Sequence, residues 1–168
     1  MAALTPLQLR FRDAMASLGA AVNVVTSTGE AGQVGFTATA VCGLTDTPPR
    51  LAVCMNRRSS QHDIVRANGA LCVNTLSAGH EDLSKVFAGM SELDGERRFA
   101  AASWTTALTG SPVLADALAS FDCEIDAVHE VGSHSLFVCQ VVHIERREGD
   151  GLAYFRRAYH ALNAASAD

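Results

Sequence analysis

Apolar positions along the chain follow two periods, and each predicts its own element. Between Thr5 and Leu18 they recur at helical spacing, with Leu7, Phe11, Ala14, Met15 and Leu18 on one face. Thr5 suits the cap, Pro6 the first helical position and Gly19 the stop, so a helix with one apolar side is predicted. Beyond it the pattern is that of strands. Ala21–Ser27 carries Val22, Val24 and Val25, Val34–Gly43 is β-prone with few charges, and Leu51–Met55 is an apolar run the length of a buried strand. Thr28-Gly29-Glu30-Ala31-Gly32 and Thr47-Pro48-Pro49 break these runs. Ser60 followed by Asp63 resembles a capping box, and Asn68-Gly69 a helix stop, which predicts a short helix between them. Ala70–Leu76 reads as a strand and His80–Ala88 as another short helix, while Leu93–Ala102 is charged and shows no clear period. From Ala117 to Val128 the chain alternates, Phe121, Cys123 and Ile125 one way and Asp122, Glu124 and Asp126 the other, as in a half-solvated antiparallel strand. Ser135–Arg146 and Leu152–Phe155 complete the series.

This amounts to roughly six or seven strands and three short helices without regular alternation, which argues against a doubly wound parallel sheet. A mainly β fold is predicted, an antiparallel barrel, closed or partly closed, with short helices packed outside. There is no internal repeat, linker or composition shift, so residues 1–168 read as one domain.

Composition narrows the function. With 48% apolar and 18% charged residues the chain can bury a core, which excludes global disorder. A net charge of −5 disfavours wrapping nucleic acid. No apolar run approaches the roughly 20 residues of a membrane span. Met1–Arg12 lacks the order of a signal peptide, so the cytoplasm is the expected compartment. Five cysteines, Cys42, Cys54, Cys72, Cys123 and Cys139, are odd in number and without CxxC spacing, and read as small buried hydrophobes. His62, His80, His129, His134, His143 and His160 are scattered, so no metal site is expected.

Conventional catalytic motifs are missing: no GxSxG, HExxH, Walker loop or GxGxxG after a strand. Three segments carry polar chemistry instead. In "GFTATAV", Thr37 and Thr39 alternate with Ala38 and Ala40. This is either ordinary strand surface or a strand whose small side chains let a flat ligand lie against the backbone. In "NRRSSQ", Arg57, Arg58, Ser59 and Ser60 precede a helix, either as a solvated helix start or as a phosphate seat. In "VGSHS", Gly132 permits a sharp turn and His134 stands at the mouth of a strand, as a polar rim residue or as a group that holds a second ligand. The tail "YFRRAYH" adds aromatic and cationic groups, an edge strand or a nucleotide clamp.

Taken in order, the stretches "AAVNVVTS", "GFTATAVCGLTDTPPRLAVCMNRRSSQH", "NGALCVNTLS", "FAGM", "ERRFAAASW", "SPVLADALASFDCEI", "HEVGSHSLFVCQV" and "GLAYFRRAYH" cover nearly the whole chain. In this order the chain resembles the short-chain flavin reductase family with the FMN-binding split-barrel fold, in particular reductase components of two-component flavin monooxygenases. The resemblance implies a homodimer in which NADH or NADPH reduces FMN or FAD, and reduced flavin diffuses to a separate monooxygenase. It implies that Thr37, Ala38, Thr39 and Ala40 form the flavin strand and that Asn56, Ser59 and Ser60 take the flavin phosphate. Asn74, Ala88 and Phe99 would line the flavin or nicotinamide pocket. His134 matches the family histidine beside the nicotinamide, with Ser133 where many members have Asp or Thr. Tyr154 and Arg157 of the tail are the remaining cofactor-binding candidates. A non-enzymatic flavin-binding split barrel is the alternative, with His134 and the aromatic–arginine tail favouring the enzyme.

Overall fold

The computed structural model describes residues 4–164. A helix, α1 (Pro6–Met15), opens the chain. Thr5 caps it in a reciprocal box: its Oγ1 accepts from the Gln8 amide at 3.3 Å, and Gln8 Oε1 accepts from the Thr5 amide at 2.8 Å. Then follow β1 (Ala20–Ala21), β2 (Asn23–Ser27), β3 (Val34–Ala38), β4 (Val41–Asp46), β5 (Pro49–Asn56), α2 (His62–Asn68), β6 (Ala70–Thr75) and α3 (Glu81–Phe87). A 3₁₀ segment over Gly95–Ala101 leads to β7 (Trp104–Thr106), β8 (Pro112–Leu114), β9 (Ala119–Val131), β10 (His134–Arg146), β11 (Gly151–Phe155) and β12 (Ala158–Leu162).

All pairings between these strands are antiparallel. The main sheet has seven strands in the order β3-β2-β6-β9-β10-β5-β4. Its two edges, β3 and β4, are consecutive in the chain and joined only by Thr39-Ala40. Three Cα steps span at most about 11 Å. The sheet must therefore roll until its edges meet at this joint, which makes the rolled sheet of a split barrel. The Cys54 amide donates to the Ala40 carbonyl at 3.0 Å and stitches the joint to β5.

Two cores result. Inside the roll lie Val25, Leu51, Val53, Leu71, Val73 and Phe137, with Val65 of α2 inserted among them. On the outer face Val22, Val24, Leu76, Phe87, Phe99 and Leu152 pack beneath α3 and the small sheet β1-β11-β12. β2 contributes to both, and all five of its residues are buried.

Several expectations change. The first helix ends at Met15 rather than Leu18, and none of its residues is buried, so its apolar side is largely exposed. α2 starts at His62 with Gln61 as its cap residue, and the Ser60–Asp63 capping box does not form. Val34–Gly43 is two strands broken at Thr39, and β7, β8 and β12 are additional. Asp122 is only 1% exposed: its carboxylate accepts from the Thr109 amide and hydroxyl, so only Glu124 and Asp126 of the alternating acids are solvated. Cys72, Cys123 and Cys139 are buried as expected, whereas Cys42 and Cys54 are exposed. Burial pushes the Cys139 thiol up to about 12, and those of Cys72 and Cys123 also upward. No described helix is long and apolar enough to cross a membrane.

Candidate functional site

Three cavities share Thr39, the residue at the joint where the sheet closes. The first, of about 320 Å³, is a cleft between the Phe36–Ala40 segment and the end of β5, lined by Cys54, Asn56 and Ser59. The second, of about 230 Å³, runs from Thr37 and Thr39 to Ala88, Met90, Tyr154 and Tyr159. The third, of about 870 Å³, lies under α1 and is lined by Thr39, His134, Tyr154, Arg157 and the α1 side chains Phe11 and Met15.

The cleft suits a flat ligand with an anionic tail. β3 is a sheet edge, so one side of its backbone is unpaired. Ala38 belongs to the barrel core, while Thr39 and Ala40 are exposed. Thr37 Oγ1 donates to the Ser84 carbonyl at 2.6 Å, and Ser84 Oγ lies 2.9 Å from the Tyr159 hydroxyl, which fixes α3 and the tail beside the cleft. At the other end Asn56 Oδ1 accepts from the Arg58 amide at 2.9 Å. Its Nδ2 is left without a protein partner among the described residues. Ser59 Oγ accepts from the Gln61 amide at 3.4 Å and keeps its own proton to donate. Two donors thus face the position of an anion.

His134 reaches the third cavity from the first residue of β10, directly opposite Asn56 in the β5–β10 register. Gly132, at φ 57°, makes the two-residue turn that brings it there. Ser133 Oγ lies 2.9 Å from His134 Nδ1, which leaves Nε2 free of protein partners among the described residues. Arg157 and Arg156 form the tight turn of the β11–β12 hairpin, at φ 63° and 49°. Arg157 pairs with Asp13 of α1, and the Arg156 amide donates to the Ala16 carbonyl at 2.7 Å. The tail hairpin therefore holds α1 over the large cavity.

Thr37, Ala38, Thr39, Ala40, Asn56, Ser59, Ala88, His134, Tyr154 and Arg157 are thus gathered around one joint. Three candidates lie elsewhere. Ser60 is exposed and lines none of the three cavities. Asn74 is fully buried, where Nδ2 donates to the Val24 carbonyl at 3.1 Å and Oδ1 accepts from the Leu114 amide at 2.8 Å; it ties β6 to β2 and β8. Phe99 packs edge-on against Phe87 and Trp104, each with ring centroids 5.2 Å away, in the outer core. Arg57 and Arg58 line a different cavity from Asn56 and Ser59. Cys54 and Tyr159 join the site beyond the candidates. Cys54 was legible in principle, because it lies two residues before Asn56 on the same face of β5. Burial, and then the neighbouring Cys42, hold the Cys54 thiol above its ordinary range.

Residues 15–163 match the model of the flavin reductase like domain. The chain belongs to this family. It is 53% identical over 153 residues to the FMN reductase (NADH) RutF of Serratia proteamaculans strain 568, covering 90% of this chain and 86% of that protein. It is 51% identical over 163 residues to the 4-hydroxyphenylacetate 3-monooxygenase reductase component of Pseudomonas aeruginosa, covering 96% of each. The solved flavin reductase PheA2 in its native state superposes with a TM-score of 0.84 at 29% identity, over 93% of this chain and 98% of that one.

Proposed function

We propose that this chain is an NADH-dependent flavin reductase that binds FMN or FAD in the Thr37–Ala40 cleft and NADH in the cavity beside it. The reduced flavin then leaves for a separate flavin-dependent monooxygenase, a reading supported by the Pseudomonas aeruginosa relative, which is named as the reductase component of a monooxygenase. One observation carries this reading: the cleft with Asn56 and Ser59 and the cavity with His134 meet at the same residue, Thr39. Two ligands bound there would both lie against Thr39.

The flavin supplies a ring that accepts hydride and the nicotinamide supplies the hydride. The chain's own residues position. Thr39 and Ala40 let a ring approach the β3 edge closely, and Asn56 Nδ2 and Ser59 Oγ donate to the phosphate. His134 orients the nicotinamide through Nε2 or by stacking, and no proton from the protein is needed at that carbon. Tyr154 and Arg157 close the wall opposite His134. Held contact between the reacting rings accounts for several kcal/mol of barrier lowering. That explains why such a site needs no nucleophile and no acid–base pair. A protein that only stores flavin has no use for a second cavity of about 870 Å³ that shares Thr39 with the first.

The same reading includes a two-fold homodimer. Leu7 and Phe11 of α1 are 69% and 63% exposed, an apolar cost that a second copy would remove. It also includes the cytoplasm, where NADH is regenerated and the exposed thiols of Cys42 and Cys54 stay reduced.

The deciding experiment mixes purified protein with NADH and a large excess of FMN. Loss of the NADH absorbance over many turnovers per protein is expected. A single turnover, or none, overturns the proposal in favour of a flavin-binding module. Light scattering that finds an active monomer overturns the dimer alone.

A further inference from the structure

The loop after β5 has two sides. Asn56 and Ser59 line the flavin cleft, while Arg57 and Arg58, which lie between them in the chain, line a separate cavity of about 440 Å³. Arg66 of α2, Glu130 of β9 and the Gly132-Ser133 turn complete its walls. We propose that this second cavity receives the adenylate-side phosphate of FAD, and so sets how well the chain accepts the dinucleotide flavin relative to FMN. The inference rests on the flavin assignment of the neighbouring cleft.

Charge argues for an anion. Three guanidiniums face two carboxylates, on a chain whose net charge is −5. The carboxylates are already engaged. Asp63 Oδ1 lies 2.8 Å from His62 Nδ1. Glu130 is shared between Arg57 at 3.0 Å and Arg66 at 4.0 Å. Arg58 has no ion pair among the described residues. Guanidiniums are the side chains best shaped to grip a phosphoryl group, with paired N–H donors in one plane.

The floor is rigid. His62 is 3% exposed, its Nε2 lies 2.9 Å from Ser135 Oγ, and its ring packs against Phe137 with centroids 5.6 Å apart. The Arg57 amide donates to the Ser133 carbonyl at 3.0 Å. One tie thus runs to β10 and the other to the turn that precedes it, and the arginines project from backbone held at both places. The volume suits a phosphoryl group with part of a ribose. Position selects the ligand. A diphosphate carries its second phosphorus one bridging oxygen from the first. When Asn56 and Ser59 hold the flavin-side phosphate, the rest of a dinucleotide continues past the loop whose intervening residues are Arg57 and Arg58. FMN ends before that point.

The test is a fluorescence titration of riboflavin, FMN and FAD, without nicotinamide, on the full chain and on Arg66→Ala and Glu130→Gln. Both side chains are more than half exposed, and FMN binding reports that each variant is folded. Arg66→Ala should weaken FAD about ten-fold and leave FMN within about two-fold. Glu130→Gln releases Arg57 and Arg66 and should tighten FAD several-fold, with FMN moving less. Equal shifts for FMN and FAD would place the cavity in the mononucleotide phosphate seat and overturn the proposal. No shift in either variant would show that it holds no flavin phosphate. A rise in KM for NADH or NADPH with unchanged FAD binding would assign the anion to the nicotinamide cofactor, again against the proposal. Because the readout is binding, a chain that failed to oxidise NADH would still answer the question.

Discussion

Two hairpins flank the candidate site, and they treat their turns in opposite ways. Between β9 and β10 the turn is Gly132-Ser133, with the left-handed position given to glycine. This is what local chemistry asks for. Between β11 and β12 the turn is Arg156-Arg157, and both arginines occupy left-handed backbone that glycine or asparagine would adopt at less cost. The first hairpin has only to deliver His134 to the mouth of β10. The second does more: Arg157 pairs with Asp13, the Arg156 amide holds the Ala16 carbonyl, and the Arg156 guanidinium lies 5.4 Å from the Phe155 ring centre. A turn that breaks a local rule while anchoring α1 over a cavity is being used for that anchoring.

Substitutions sharpen this contrast, beginning with the largest effect. Gly132→Val puts a β-branched residue at φ 57°, where no atom lies within 4 Å of the added Cβ, so the cost is backbone strain alone. Stability should fall by about 1–2 kcal/mol in denaturant unfolding. kcat/KM for NADH should fall about ten-fold as His134 shifts. Unchanged NADH kinetics would separate the turn from the site. Arg157→Ala should raise KM for NADH about five-fold, because the large cavity loses a cation and α1 its tether. Its effect on stability should stay under about 1 kcal/mol, since both partners are mostly exposed. A loss confined to stability would make the turn purely structural. Ser133→Ala removes the hydroxyl beside His134 Nδ1 and should raise KM for NADH about three-fold, less than one hydrogen bond's net worth. Flavin binding should not move. Arg156→Gly is the mildest: the turn relaxes, stability rises by about 1 kcal/mol, and turnover is unchanged. A destabilised Arg156→Gly protein would show that the guanidinium–Phe155 contact outweighs the strain.

Much of this was legible in the residues, and the omissions have physical causes. Alternation and β-branching located β2, β5, β6, β9 and β10, because half-buried strands must alternate and buried ones must be apolar. The resemblance pointed to Thr37–Ala40 and His134 as candidates, and the rolled sheet brings Thr39, Asn56 and His134 to one joint. What period and spacing could not give was partnership. Asp122 reads as a solvated acid until Thr109 arrives from another element. Asn74 and Phe99 were expected in the pocket through the resemblance alone, and their neighbours Leu114, Ser120, Phe87 and Trp104 place them in the core. Arg57 and Arg58 were read with the serines beside them, yet a bend in the loop sends them to a different cavity. α1 was expected to carry one apolar side, and burial could not be read from its period: none of its residues is buried.

The most direct test of the two-ligand account is His134→Ala, measured by flavin titration and by NADH steady-state kinetics at saturating flavin. The account predicts a fall in kcat/KM for NADH of about ten-fold or more, with the flavin dissociation constant close to that of the parent, because the proposed flavin contacts lie at the β3–β4 joint and around the end of β5. A collapse of flavin binding with normal NADH kinetics at saturating flavin would contradict it, and would place His134 in the flavin cleft or in the fold.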